Sequence, residues 1–113
     1  MSAVGIKLLP EALRSIAAAS LSNTYAVLGS PLAHPSSLIW LQNLTDVQVL
    51  ISMNGSTDHM ILAVNGFVIL DVTANKSNVG SGFYIAQGTQ FYAKEVTNAT
   101  TGSVYMSTFY ATP

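Results

Sequence analysis

The sequence predicts an all-β fold: a single antiparallel β-sandwich, jelly-roll-like, with an N-terminal arm. Three observations carry this expectation. Between Ser36 and Thr73 lie three apolar stretches of strand length, Ser36–Gln42, Val47–Met53 and Phe67–Thr73, punctuated by turn residues. Turn signals recur about every 8–12 residues along the rest of the chain, the spacing of a sandwich or barrel. No stretch sustains a long helical period of apolar residues. The 113 residues fit one domain, divided here into an arm at 1–12 and a sandwich at 13–113.

The elements follow in chain order. In the arm, Ile6, Leu8 and Leu9 are apolar yet precede the first clear strand, so they are the candidate partner-binding residues. Residues 13–21 read as a strand, and a short helix opened by Pro10 and Glu11 is the competing reading. Asn23 to Gly29 forms a further strand, with Tyr25 and Val27 on one face and Ala26 and Leu28 on the other. Pro31 and Pro35 then end it, because each fixes φ and lacks an N–H donor. Leu38 to Gln42 is apolar on both faces and reads as a central strand covered on both sides. The short turn at Asn43–Asp46 joins it to Val47–Met53, so 38–53 reads as an antiparallel hairpin. Asn54-Gly55 makes a turn, Met60–Val64 an edge strand or lid, and Asn65-Gly66 another turn. Phe67–Thr73, Phe83–Ala86, Thr89–Val96 and Ser103–Tyr110 supply the remaining strands, and Phe91 and Ala93 face oppositely to Tyr92 and Lys94. Trp40, Val49, Ile51 and Ile69 are the expected core.

Composition bounds the function. Half of the residues are hydrophobic, but only 8% are charged and the net charge is -1, against about 25% charged residues in ordinary soluble domains. Thirteen Ser, ten Thr and seven Asn supply the polarity instead. A nearly neutral surface is weakly repelled from its neighbours, which points to a homo-oligomer or a larger assembly. Lys7, Arg14, Lys76 and Lys94 are scattered, without the clustered basic footprint of a nucleic-acid binder. No run approaches the roughly 18 apolar residues of a membrane span. Pro10, Glu11 and Arg14 interrupt the apolar segment near the N-terminus, so a secretory leader is not expected. The four Asn-X-Ser/Thr sequons then follow from the Ser/Thr/Asn-rich composition.

The inventory of reactive groups is short. There is no cysteine, hence no disulfide framework and no thiolate metal site. Asp58-His59 is the only adjacent carboxylate and histidine, and neighbours on a turn face solvent. A metal needs three or four convergent ligands, and His34, Asp58 and His59 converge only if two loops meet. Gly80-Ser81-Gly82 lacks the helix and lysine of a phosphate loop. Asp71 shares a face with Phe67 and Ile69, and it reads as a strand-end carboxylate bonded to nearby backbone N–H groups. No catalytic, cofactor or metal residue is assigned.

Taken in order, the turn and strand motifs resemble those of small β-sandwich structural proteins, head or tail accessory components, of tailed bacteriophage virions. The residues that carry the resemblance are Tyr25-Ala-Val-Leu-Gly-Ser-Pro-Leu-Ala-His-Pro35, Asn43-Leu-Thr-Asp46 and Ser52-Met-Asn-Gly-Ser-Thr-Asp-His59, followed by Phe67-Val-Ile-Leu-Asp-Val72, Gly88-Thr-Gln-Phe-Tyr92 and Gly102-Ser-Val-Tyr105. They span most of residues 13–110. In similar proteins the position after the Asn-Gly turn is often more acidic than Ser56-Thr57 here. The resemblance implies a non-enzymatic virion subunit made in the host bacterial cytoplasm, which decorates the head, joins head to tail or anchors a fibre. Its implied partners are further copies of itself and capsid, portal or tail proteins, with no nucleic acid, membrane or cofactor. The rival expectation is a receptor- or glycan-binding module that uses exposed aromatic residues.

Overall fold

The computed structural model describes residues 7–72 and 84–112. The chain is all-β, with two antiparallel sheets packed face to face. The first sheet contains β1 (Lys7–Pro10), β2 (Arg14–Ala17), β4 (Leu38–Asn43), β7 (Phe67–Asp71) and β9 (Ser103–Thr112). The second contains β3 (Ala26–Val27), β5 (Val49–Ser52), β6 (Met60–Leu62) and β8 (Tyr92–Glu95). The strand orders are β1-β9-β4-β7, with β2 also on β9, and β3-β8-β5-β6.

The ten-residue β9 organises the first sheet. One of its sides pairs with β4, from Leu38↔Phe109 to Asn43↔Val104. Its other side takes two short strands end to end, β2 against Ser103–Met106 and β1 against Phe109–Thr112. The expected strand at 13–21 is therefore present as β2, followed by a 3-10 turn at Ala18–Ser20. Within the expected arm, residues 7–10 are a sheet strand in this chain, while Ile6 lies outside the described residues. Pro10 closes β1 at the sheet edge, where a missing N–H does no harm.

Period-two alternation sets the core. Ile16, Ile39, Leu41, Val104 and Met106 project from the first sheet, and Val49, Ile51, Leu62 and Ala93 from the second. Phe91, Leu28 and Leu32 fill the space beside them. Each of these side chains larger than alanine contributes roughly 1.5–3 kcal/mol by leaving water. Val49 and Ile51 are core residues, as expected, and Phe91 and Ala93 are buried opposite Tyr92 and Lys94. Met60–Leu62 is an edge strand, also as expected.

Four expectations are corrected. Residues 38–53 are not a hairpin: β4 pairs with β7 and β9 in one sheet, and β5 pairs with β6 and β8 in the other. The connection crosses between layers because the Asn43 side chain is buried at the corner. Its Nδ2 donates to the carbonyls of Val47 (2.8 Å), Leu62 (3.1 Å) and Ala63 (3.0 Å). Its Oδ1 accepts from the Thr45 N–H (3.0 Å) and hydroxyl (2.6 Å). A solvent-facing hairpin turn would leave those carbonyls without this donor. The corner is fastened again at Gly102 (φ 84°), where an added Cβ would collide with the Leu44 carbonyl.

The second and third corrections concern burial. Trp40 and Ile69 are not core residues but surface residues, and β4, although central in its sheet, is covered on one face only. Among the described residues no layer lies over the other face. The outer strands are also shorter than the sequence suggests. Of residues 23–29 only Ala26–Val27 pair as strand, and around residue 85 there is a single bridge, Ser36↔Ile85. Phe83 and Thr73 lie outside the described residues.

These positions separate in a stability measurement. Leu41→Ala is expected to cost about 2–5 kcal/mol in denaturant unfolding. Trp40→Ala, measured where the chain is monomeric, is expected to cost less than about 1.5 kcal/mol. Equal losses at the two positions would place Trp40 back in the core.

Candidate functional site

Two features stand out from the fold: an uncovered apolar sheet face and a buried polar clamp at one end of the sandwich.

The face follows from register. Leu38, Trp40 and Gln42 of β4 alternate with the buried Ile39, Leu41 and Asn43, so they point outward. Their partners point the same way: Asp71, Ile69 and Phe67 on β7, and Phe109, Ser107 and Tyr105 on β9. Leu8 joins the same face through its pairing with Ala111. Exposure is 46% at Leu8, 40% at Trp40, 59% at Phe67 and 47% at Ile69. The Trp40 and Phe67 rings lie side by side, with centroids 6.0 Å apart and planes tilted by 59°. Large exposed apolar patches on small domains ordinarily mark interaction sites.

Of the predicted partner-binding residues, Leu8 lies on this face. Leu9 pairs with Tyr110 and faces the opposite way, half-buried. Ile6 is outside the described residues. The rest of the face went unrecognised in the sequence. Its signal was present as strands apolar on both sides in a chain with no helical segment to cover the second side.

The clamp is built on Arg14, the inward residue of β2, which is only 6% exposed. Its Nε donates to the Ser30 carbonyl (2.7 Å) and its Nη1 to the Thr108 hydroxyl (2.9 Å). Its Nη2 donates to the Glu11 carboxylate (2.7 Å) and the Pro31 carbonyl (2.9 Å). The other Glu11 oxygen meets His34 Nδ1 at 2.7 Å, and the His34 ring stacks on Tyr110, 3.7 Å between centroids and 9° from parallel. The proline-bounded loop is thus tied to β9 by one guanidinium. Gly29 (φ 69°) lets the loop pass over the Arg14 stem, since a Cβ there would lie 2.6 Å from Arg14 Cβ and Cγ. Burial pushes the Glu11 carboxyl up, but the bonds from His34, Arg14 and the Ala33 N–H outweigh it and hold the group below its ordinary 4.5.

The remaining charged residues serve loops. Asp58 accepts from the Tyr25 hydroxyl and pairs with Lys94 at 3.3 Å, and the Lys94 ammonium lies 4.7 Å from the Tyr25 ring centroid. Burial and the adjacent Asp58 push the Tyr25 hydroxyl well up. Asp46, held down to about 2 by the Thr100 hydroxyl and N–H, fastens the corner after β4 to the loop before β9. His59 Nδ1 accepts from the Met53 N–H (2.9 Å). The sequence-level trio His34, Asp58 and His59 is thus divided among separate partners. Among the described residues no group of three His, Cys, Asp or Glu is placed to hold a metal. The arrangement can brace loops and present an apolar face.

No family model, curated protein or solved structure matches the chain.

The clamp has a measurable signature. Because the folded-state pKa of Glu11 is depressed, its contribution is present above the unfolded carboxylate range and is lost as pH falls through the folded value. The melting temperature is expected to drop below about pH 4.5, and Glu11→Gln to flatten that acid limb. Arg14→Ala, which strips the cation from a buried pair, is expected to cost about 3–5 kcal/mol. An acid limb unchanged by Glu11→Gln would place the titrating group elsewhere.

Proposed function

We propose that this chain is a non-enzymatic structural component of a tailed-phage virion that acts through protein–protein contacts made by the outer face of its first sheet. The single observation that carries the contact role is that face, with Leu8, Trp40, Phe67 and Ile69 exposed together. A solvated sheet face ordinarily alternates to polar residues, whereas here Leu38, Trp40, Phe67, Ile69 and Phe109 stand among the polar Gln42, Ser107 and Asp71. The sparse charge supports the same reading, since at a net charge of -1 little repulsion opposes close packing. The virion setting is the one implied by the resemblance of the turn motifs. Head decoration, head–tail junction and fibre anchoring are its three forms.

A second reading, a receptor- or glycan-binding module of a phage tail, is favoured by the neighbouring exposed rings of Trp40 and Phe67. Aromatic rings of that kind stack on sugar faces.

Imaging of purified particles tests the first reading. The chain is expected in the particle in a copy number that follows head or tail symmetry. Its absence from the particle overturns the reading. Glycan-array binding that disappears in Trp40→Ala, with no place in the particle, establishes the second.

A further inference from the structure

We infer that the outer face of the first sheet is a homotypic interface: a second copy of this chain packs its own Leu8–Trp40–Phe67–Ile69 face against it across a two-fold axis. The inference rests on the contact role proposed above and names the partner. The first argument is charge. The outward positions of the five strands are Leu8 and Pro10, Ser15 and Ala17, alternate β9 residues from Ser103 to Ala111, Leu38, Trp40 and Gln42, and Phe67, Ile69 and Asp71. They include no lysine, arginine, histidine or glutamate, and their one carboxylate, Asp71, stands at the Leu38 end of the face. A face so poor in charge has nothing to pair with nucleic acid, an anionic membrane or an acidic protein. It suits another sheet face nearly free of charge and rich in apolar rings, and its own copy supplies one.

The second argument is size. The strand residues of this sheet, each covering roughly 3.3 by 4.8 Å, tile about 450 Å² of flat sheet before the relief of projecting rings is counted. A standard stable interface buries about 800 Å² of accessible surface per partner. Trp40, Phe67, Tyr105 and Phe109 project from the plane and bring the accessible area towards that class. The third is geometry. Antiparallel sheets stack face to face at about 10 Å with the strand directions nearly aligned. This chain already packs two sheets face to face, so a further face-to-face packing across a two-fold makes a four-layered dimer. A two-fold lying in the interface sets residues on the axis against their own symmetry mates and pairs each residue off the axis with one across it; the proposed axis passes beside Trp40 and Ile69. Asp71, at one end of the face, is kept from the centre.

The chain contains no cysteine, so single cysteines report the geometry directly. Ile69→Cys and Trp40→Cys are expected to form disulfide-linked dimers on mild oxidation. Ile61→Cys, exposed on the second sheet, is the control and is expected to form no disulfide-linked dimer. In parallel, sedimentation of the full chain at about 100 μM is expected to show a dimer, since a micromolar Kd fills it there. Phe67→Lys is expected to weaken that dimer roughly thirtyfold or more while the far-UV circular dichroism stays all-β. Ile69→Lys does the same if Phe67→Lys alters the fold. A full chain that stays monomeric, or a dimer that cross-links at Ile61 and not at Ile69 or Trp40, overturns the inference. If the monomeric chain is still incorporated into particles and Phe67→Lys prevents it, the contact reading stands and the homotypic partner alone fails. If neither dimer nor incorporation is seen, both fail.

Discussion

One buried amide decides how this chain folds. At Asn43 the path from β4 can either turn back into the same sheet or cross to the other. The Asn43 side chain reaches three carbonyls on two segments, Val47 on its own turn and Leu62 and Ala63 at the end of β6. It therefore holds the exit from the first sheet against the edge of the second. A buried side-chain amide with all its bonds made is strongly directional, because any other path leaves donor or acceptor groups without water and without a partner. Once β5 is delivered to the second layer, β4 is free to take β7 and β9 as neighbours, and the core forms between the layers. The outward position of Trp40 follows from the same event. With Ile39 and Leu41 committed to the core, alternation leaves Trp40 no inward position.

What the sequence revealed and what it hid follow the range of the interactions involved. Strand alternation is local, so the buried positions Val49, Ile51, Phe91 and Ala93 could be read directly. So could the all-β class. The partner of a strand is not local. Asn43-Leu-Thr-Asp46 looks like a hairpin turn by composition, because Asn and Asp favour turns whether the chain folds back or crosses layers. What distinguishes the two is a set of carbonyls up to twenty positions away. Trp40 and Ile69 were misplaced for a related reason. Large apolar residues are usually buried, but that rule assumes that each face of a sheet finds a cover. The Arg14 clamp was hidden for the same reason: Glu11 is only three residues away, but Ser30, Pro31 and Thr108 lie 16, 17 and 94 positions off. A hint existed in the alternation itself, where Arg14 falls in phase with Ile16 on the inward face.

The small complement of charges is spent largely on internal fastening. Arg14 and Glu11 tie a loop to β9, Asp46 ties the corner after β4 to the loop before β9, and Asp58 joins Tyr25 and Lys94. Exposed pairs such as Asp58–Lys94 add little stability, and the buried one at Arg14 mainly fixes which loop sits where. The surface is short of charge because only 8% of the residues are charged, and Asp46, Asp58 and Lys94 fasten loops from exposed or half-exposed positions. Ordinary domains rely on charged side chains to stay apart, and here those groups are turned to holding loops.

This distribution bears on how an apolar face survives in the cell. Exposed sheet faces and sheet edges are sites of uncontrolled association unless charge, proline or a cover protects them. At the β1 edge Pro10 provides one such stop, and Lys7 another. The outer face of the first sheet has neither across its centre, where Trp40, Phe67 and Ile69 meet. At the opposite edge β7 is apolar from Phe67 to Leu70 and ends in Asp71, so a cover of the kind proposed can lie flat on the face or extend the sheet beside β7. A flat apolar cover fits a closed assembly, in which the same patch is buried once per subunit and no sticky surface remains to propagate.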